Sequence, residues 1–86
     1  MINAIVTFKL AYPYNKSTQL IQDLVSVWDL RLITSSMDSD TTVVSVPWKK
    51  FKDIFGSNPQ VGGIAVPIKL QKFVHNIIVD QVMVDE

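Results

Sequence analysis

The 86 residues predict a small α+β domain, a four-stranded antiparallel sheet with its helices on one face, and three stretches carry that prediction. Ile2 to Leu10 alternates, with Ile2, Ala4, Val6, Phe8 and Leu10 on one side and Asn3, Thr7 and Lys9 on the other, the period of a half-buried strand. Leu20, Ile21, Leu24, Val25, Val27 and Trp28 recur at three- and four-residue spacing, the period of a helix that buries one face. Thr41 to Val46 is rich in β-branched residues and passes at Pro47 into the helix-spaced aromatics Trp48, Phe51 and Phe55. Thr42, Val44 and Val46 then face the helices, and Thr41, Val43 and Ser45 face the other way.

Taken in order, the first strand ends at Tyr12-Pro13-Tyr14-Asn15, because proline fixes its own φ and holds the preceding residue extended. Asn15 or Ser17 supplies a side-chain cap for the first helix. Leu30 to Thr34 follows as a second strand, and Ser35 to Asp40 as a hairpin loop, long and splayed because it has no glycine for a tight primed turn. Thr41 to Val46 is the third strand, taken as central. Pro47 suits the first position of a short helix whose apolar stripe, Trp48, Phe51, Ile54 and Phe55, stops at Gly56. Ser57 to Gly63 reads as a loop. Ile64-Ala65-Val66 reads as a brief strand or a buried part of that loop.

Pro67 then opens a further helix, with Leu70, Phe73, Val74 and Ile77 at helical spacing and His75-Asn76 at its close. Ile77 to Val79 and Val82 to Val84 form the last strand, bent or bulged at Asp80-Gln81. Strand, helix, strand, strand, interrupted helix, strand is the split β-α-β order of a ferredoxin-like sandwich, with the second crossover interrupted by a loop. The first and third strands are expected parallel and central, with the other two at the edges. The expected core is Val6, Phe8, Leu24, Trp28, Val44, Phe51, Phe73 and Val79. The face away from the helices carries Ile5 and Val43 among Thr and Lys, too apolar for a purely solvated surface.

Composition narrows the function. A chain this short is one domain, and 48% hydrophobic residues suffice for a packed core. Eight basic residues balance eight acidic ones, so no field of one sign gathers nucleic acid or a membrane surface, and near-zero net charge favours self-association into a homodimer. Without cysteine there is no disulfide framework, thiolate metal site or cysteine nucleophile. The start Met1-Ile2-Asn3-Ala4 lacks the basic region of a signal peptide, and no apolar run reaches membrane-spanning length, so the expected location is the cytoplasm.

No catalytic constellation can be assembled, and an enzyme is not expected. His75 is the only histidine and reads as a surface or capping residue, since acid–base work needs a second positioned group. Asp38 and Asp40 read as a solvated turn, lacking the glycine and terminal glutamate of a calcium loop. Gly62-Gly63 invites an anion, but Pro67 removes a donor and no Gly-Lys-Ser/Thr follows, so a connector is the better reading and no cofactor is expected. Tyr12 and Tyr14 flank Pro13 and are candidate stacking residues, or else pack over the open end of the core. Lys49, Lys50 and Lys52 interleave with Trp48 and Phe51; on a helix the lysines lie on the wet side, and Val43 to Val46 lacks the strand aromatics of RNA binders.

Among ferredoxin-like families, an acylphosphatase-like enzyme needs an arginine where this chain has Tyr12-Pro13-Tyr14-Asn15. A heavy-metal carrier needs paired cysteines there, and amino-acid-sensing regulatory domains show glycine. The ending Phe73 to Val84, in which Val79-Asp80-Gln81-Val82 sets a polar pair between valines, resembles the inhibitor-type propeptides of subtilisin-like proteases. The chain departs from them through the insertion Ser57 to Val66, and no protease is expected to follow Glu86. The resemblance implies a free-standing propeptide-like inhibitor or chaperone, with Val82, Met83 and Val84 as its extended contact segment. Two functional readings follow: a protein-interaction module using the open face and this tail, or a small-molecule-binding regulatory dimer with Tyr12, Tyr14 and Gly62-Gly63 around a pocket.

Overall fold

In a computed structural model, which describes residues 2–37 and 39–84, the alternating stretch Ile2–Leu10 is β1, the middle strand of a five-stranded sheet. Helix α1 (Tyr14–Val27) leads to β2 (Arg31–Ser35), and a five-residue loop to β3 (Thr41–Pro47). Helix α2 (Trp48–Phe55), β4 (Gly62–Ile64), a 3-10 turn (Ile68–Leu70) and β5 (Val74–Val84) complete the order. The sheet runs β2-β3-β1-β5-β4, every neighbouring pair antiparallel.

Three expectations about the sheet need correction. It has five strands rather than four, because Gly62-Gly63-Ile64 pairs with β5 as an added edge, Gly63 opposite Ile78. The last strand, β5, is therefore interior where β4 pairs with it and not an edge, while β1 and β3 are both interior as expected. β1 and β3 are antiparallel, not parallel: α1 returns the chain one slot away from β1, and the β2–β3 hairpin fills that slot from the opposite direction.

The helix expected from Pro67 to Ile77 is not formed. Only Ile68–Leu70 turns, burying Leu70, and β5 begins at Val74. The helical spacing of Val74 and Ile77 comes from a β-bulge: Leu10 opposes Val74 and Lys9 opposes Asn76, which leaves His75 as an extra residue and puts both buried side chains on one face three positions apart. A second bulge falls at the expected polar pair, where Val6 opposes Val79, Ile5 opposes Gln81 and Asp80 is unopposed.

The helices lie on the face of Ala4, Val6, Phe8 and Leu10, together with Thr42, Val44 and Val46 of β3 and Val74, Ile77 and Val79 of β5, all buried. Phe51 closes this core from α2, its ring centroid 4.7 Å from that of Phe55. From α1 the buried residues are Ser17, Thr18, Ile21 and Val25. The apolar face expected there is therefore rotated. Leu20, Leu24 and Trp28 only flank the core, as does Phe73, and Val27 is exposed. Trp48, expected on the buried stripe of α2, is 41% exposed.

The ends of α1 explain its position. The helix starts at Tyr14 after Pro13, with no side-chain cap; Asn15 instead accepts a hydrogen bond from the Lys16 amide at 2.9 Å. Ser17 is buried one turn in, its hydroxyl donating to the Ala11 carbonyl at 2.7 Å and so anchoring the helix to the end of β1. At the other end Asp29 adopts a left-handed φ of 57°. The Leu30 amide then reaches the Val25 carbonyl at 2.9 Å and the Asp29 amide the Ser26 carbonyl at 3.2 Å, the Schellman arrangement. Gly56 ends α2 with φ 77°, as expected for a glycine at that position. The β2–β3 loop is tied rather than splayed, through Ser39 N–H to the Ser36 carbonyl at 3.0 Å and Leu10 N–H to the Asp40 carbonyl at 2.6 Å. Asp38 lies outside the described residues.

Candidate functional site

The two-residue period that buries one side of β1 and β3 delivers the other side to a face that carries no helix. Its middle row runs Thr34, Val43, Thr7, Ile78 and Gly63 across all five strands, and the row beside it runs Arg31, Ser45, Ile5 and Gln81. Ile5, Thr7, Lys9, Val43, Ser45 and Ile78 are half-buried by their sheet neighbours alone. Such a surface of β-branched and small polar side chains is flat and requires little rearrangement to be covered.

Charge sits at its margins. Arg31 is exposed on the outermost strand and makes no ion pair among the described residues. Asp80, the bulged residue of β5, is oriented on this face by a hydrogen bond from the Thr7 hydroxyl to its carboxylate. Sequence alternation alone assigns Ile5, Thr7, Val43 and Ser45 to this face. Ile78 and Asp80 are not assignable that way, because the bulges at His75 and Asp80 shift the alternation of β5 twice.

The tail residues singled out from the sequence do not hang free. Val82 opposes Ala4, Met83 opposes Asn3 and Val84 opposes Ile2, so they finish β5. Val82 and Met83 are exposed, 36% and 49%. Among the described residues nothing pairs with the outer edge of their strand, since β4 pairs only with the segment from Ile77 to Val79. Asp85 and Glu86 lie outside the described residues.

Tyr12 is 82% exposed and Tyr14 half-buried, and their rings meet edge to face at 5.6 Å. With Pro13, Asn15 and Met37 they line an open cleft of about 210 Å³. Gly62 and Gly63 are no part of it; they are strand residues opposite Val79 and Ile78, far along the sheet from the end of β1 that carries Tyr12. Among the described residues no α-helix follows them, only the 3-10 turn Ile68–Leu70, which begins after Pro67.

The lysine cluster divides. Lys49 and Lys52 are exposed, but Lys50 turns back onto α1, its ammonium 2.7 Å from the Trp28 carbonyl and 3.1 Å from that of Asp29. Lys69 stands over the Trp28 ring, 5.3 Å from its centroid. His75 is exposed at its bulge. Among the described residues no three His, Asp or Glu side chains gather as a metal site, and no helix is long and apolar enough to cross a membrane. Comparison with known families, curated proteins and solved structures returns no match to this chain.

Proposed function

We propose that this chain is a non-catalytic protein-interaction module of ferredoxin-like type, working in the cytoplasm and contacting its partner through the helix-free face of the sheet. The observation that carries this reading is the stripe Ile5, Thr7, Val43, Ser45 and Ile78, which reaches half burial with no element of the described residues packed over it. The β2-β3-β1-β5 order supports the ferredoxin-like assignment, with β4 as an addition inside the second crossover. A propeptide-like inhibitor or chaperone of a subtilisin-like protease is the more specific form of the reading. For that form Val82 and Met83 supply exposed side chains beside an uncovered strand edge, able to pair with a protease main chain.

The test is a photoreactive benzoylphenylalanine placed at Val43 in the host cell, with a second placed at Gln19 on the exposed side of α1. A discrete protein adduct at Val43 alone supports the reading. No adduct at Val43, or equal adducts at both positions, overturns it.

The cleft beside Tyr12 and Tyr14 favours a second reading, a small-molecule-binding regulatory dimer. Its volume of about 210 Å³ falls short of the roughly 300 to 1,000 Å³ of drug-sized sites, and it lacks the expected glycine loop. This reading is therefore the weaker of the two.

A further inference from the structure

We propose that a second copy of this chain covers the helix-free face, related by a two-fold axis that runs parallel to the strands between β1 and β3, so that Arg31 of each copy meets Asp80 of the other. The proposal rests on the interaction reading above and names the partner.

Its basis is the register. Arg31 opposes Ser45, Ser45 opposes Ile5, and Ile5 opposes Gln81, with the bulged Asp80 next in the chain. A positive and a negative side chain thus bracket one transverse row. They stand three strand spacings apart, about 14 Å, with the midpoint between Ser45 and Ile5. Rotation by a half turn about a strand-parallel axis through that midpoint exchanges β2 with β5 and β3 with β1. Arg31 then lies over the Asp80-Gln81 bulge of the other copy, twice by symmetry. Sheets packed face to face stand about 10 Å apart, a gap that an arginine and an aspartate side chain span together.

The rest of the face accommodates the same axis. Val43 falls over Thr7, Ile5 over Ser45, and Thr34 over Ile78, so each larger apolar side chain meets a small one. Lys9 falls over Thr41, its register partner, and no like charges meet. An axis perpendicular to the strands fails by comparison: it lays β2 upon β2, and that strand, Arg-Leu-Ile-Thr-Ser, holds no acidic residue to receive Arg31. The fixed orientation of the Asp80 carboxylate by Thr7 lowers the ordering that a dimer contact must supply.

Sedimentation equilibrium over a concentration series tests this with wild type, Arg31→Glu, Asp80→Lys and the double reversal. Because Asp80→Lys also removes the Thr7 hydrogen bond, Asp80→Asn is added to keep a hydrogen-bond acceptor there while deleting the charge, and thermal melts check each fold. Wild type is expected to reach twice the 9.7 kDa of one chain, each single reversal to raise the dimer Kd about tenfold or more, and the double reversal to return within about threefold of wild type. Asp80→Asn is expected to weaken the dimer less than Asp80→Lys. A wild-type chain that stays monomeric at about 200 µM, or a dimer indifferent to all these changes, overturns the proposal. A monomer that still gives the Val43 adduct with a larger protein removes the second copy and leaves the interaction reading standing. A monomer without the adduct removes both.

Discussion

Lys50, in the first turn of α2, closes the C-terminus of α1 by donating to the main-chain carbonyl of Trp28 at 2.7 Å. The same ammonium reaches the Asp29 carbonyl at 3.1 Å and stands 3.6 Å from the Asp29 carboxylate. The last carbonyls of a helix have no partner within it and carry the negative end of its dipole, so a cation here serves both needs. This contact fixes the two helices relative to each other on the side of the sheet opposite the proposed interface. Lys50→Met is expected to destabilise the fold by about 1 kcal/mol, a value held down by the side chain's 38% exposure. Urea unfolding would register this as a lower midpoint with an unchanged slope.

Asp29 sits at φ 57°, where an L side chain is strained unless it is short and polar. Replacing it with glycine relieves the strain and loses only a highly exposed ion pair, so Asp29→Gly is expected to gain about 0.5 kcal/mol. A β-branched residue there is worse, and Asp29→Val is expected to lose about 1 kcal/mol or more. Opposite signs for the two variants in thermal melts would bear out the left-handed cap.

Burial separates two aromatic residues that sequence spacing treats alike. Phe51 is wholly buried against the sheet, and Phe51→Ala is expected to cost about 3 to 5 kcal/mol, enough to unfold a domain of this size. Trp28 only flanks the core and keeps Lys69 over its ring, so Trp28→Ala should cost roughly half as much and leave a folded protein. Equal losses from the two would contradict the rotated face of α1.

Deleting residues 83–86 removes the ladder pairs of Met83 and Val84 with Asn3 and Ile2. Calorimetry is expected to show a melting temperature lower by about 4 to 8 °C, the equivalent of about 1 kcal/mol in a domain near this size. The inhibitor form of the proposal makes a further demand: the full chain must inhibit a subtilisin-like protease, and the deletion must lose that inhibition beyond the loss in stability.

Much of this architecture was legible because period-two and period-three-to-four patterns are local. Ile2 to Leu10, Thr41 to Val46 and the stop at Gly56 all behave as their patterns require. What escaped has identifiable causes. The bulge at His75 spaces Val74 and Ile77 like a helix, so the sequence period predicts a helix where a strand forms. Gly62 and Gly63 look like a loop because glycine has low strand propensity, but pairing with Val79 and Ile78 holds them in the sheet. Ser17 and Thr18 are polar, so their burial shows only once their acceptors, the carbonyls of Ala11 and Ser36, are brought close. Of the candidate site, Tyr12 and Tyr14 do come together, Val82 and Met83 lie exposed in a paired strand, and the charges Arg31 and Asp80 acquire a relation only through the sheet register.

The helix-free face as a contact surface is most directly tested by nuclear magnetic resonance of isotope-labelled chain, first alone at low concentration and then both at about 200 µM and at low concentration in an extract of its host cell. The account predicts line broadening or shifts concentrated at Ile5, Thr7, Val43, Ser45 and Ile78, with the exposed side of α1 unaffected. Changes centred on α1 or on Tyr12 and Tyr14, or no change at all, would contradict it.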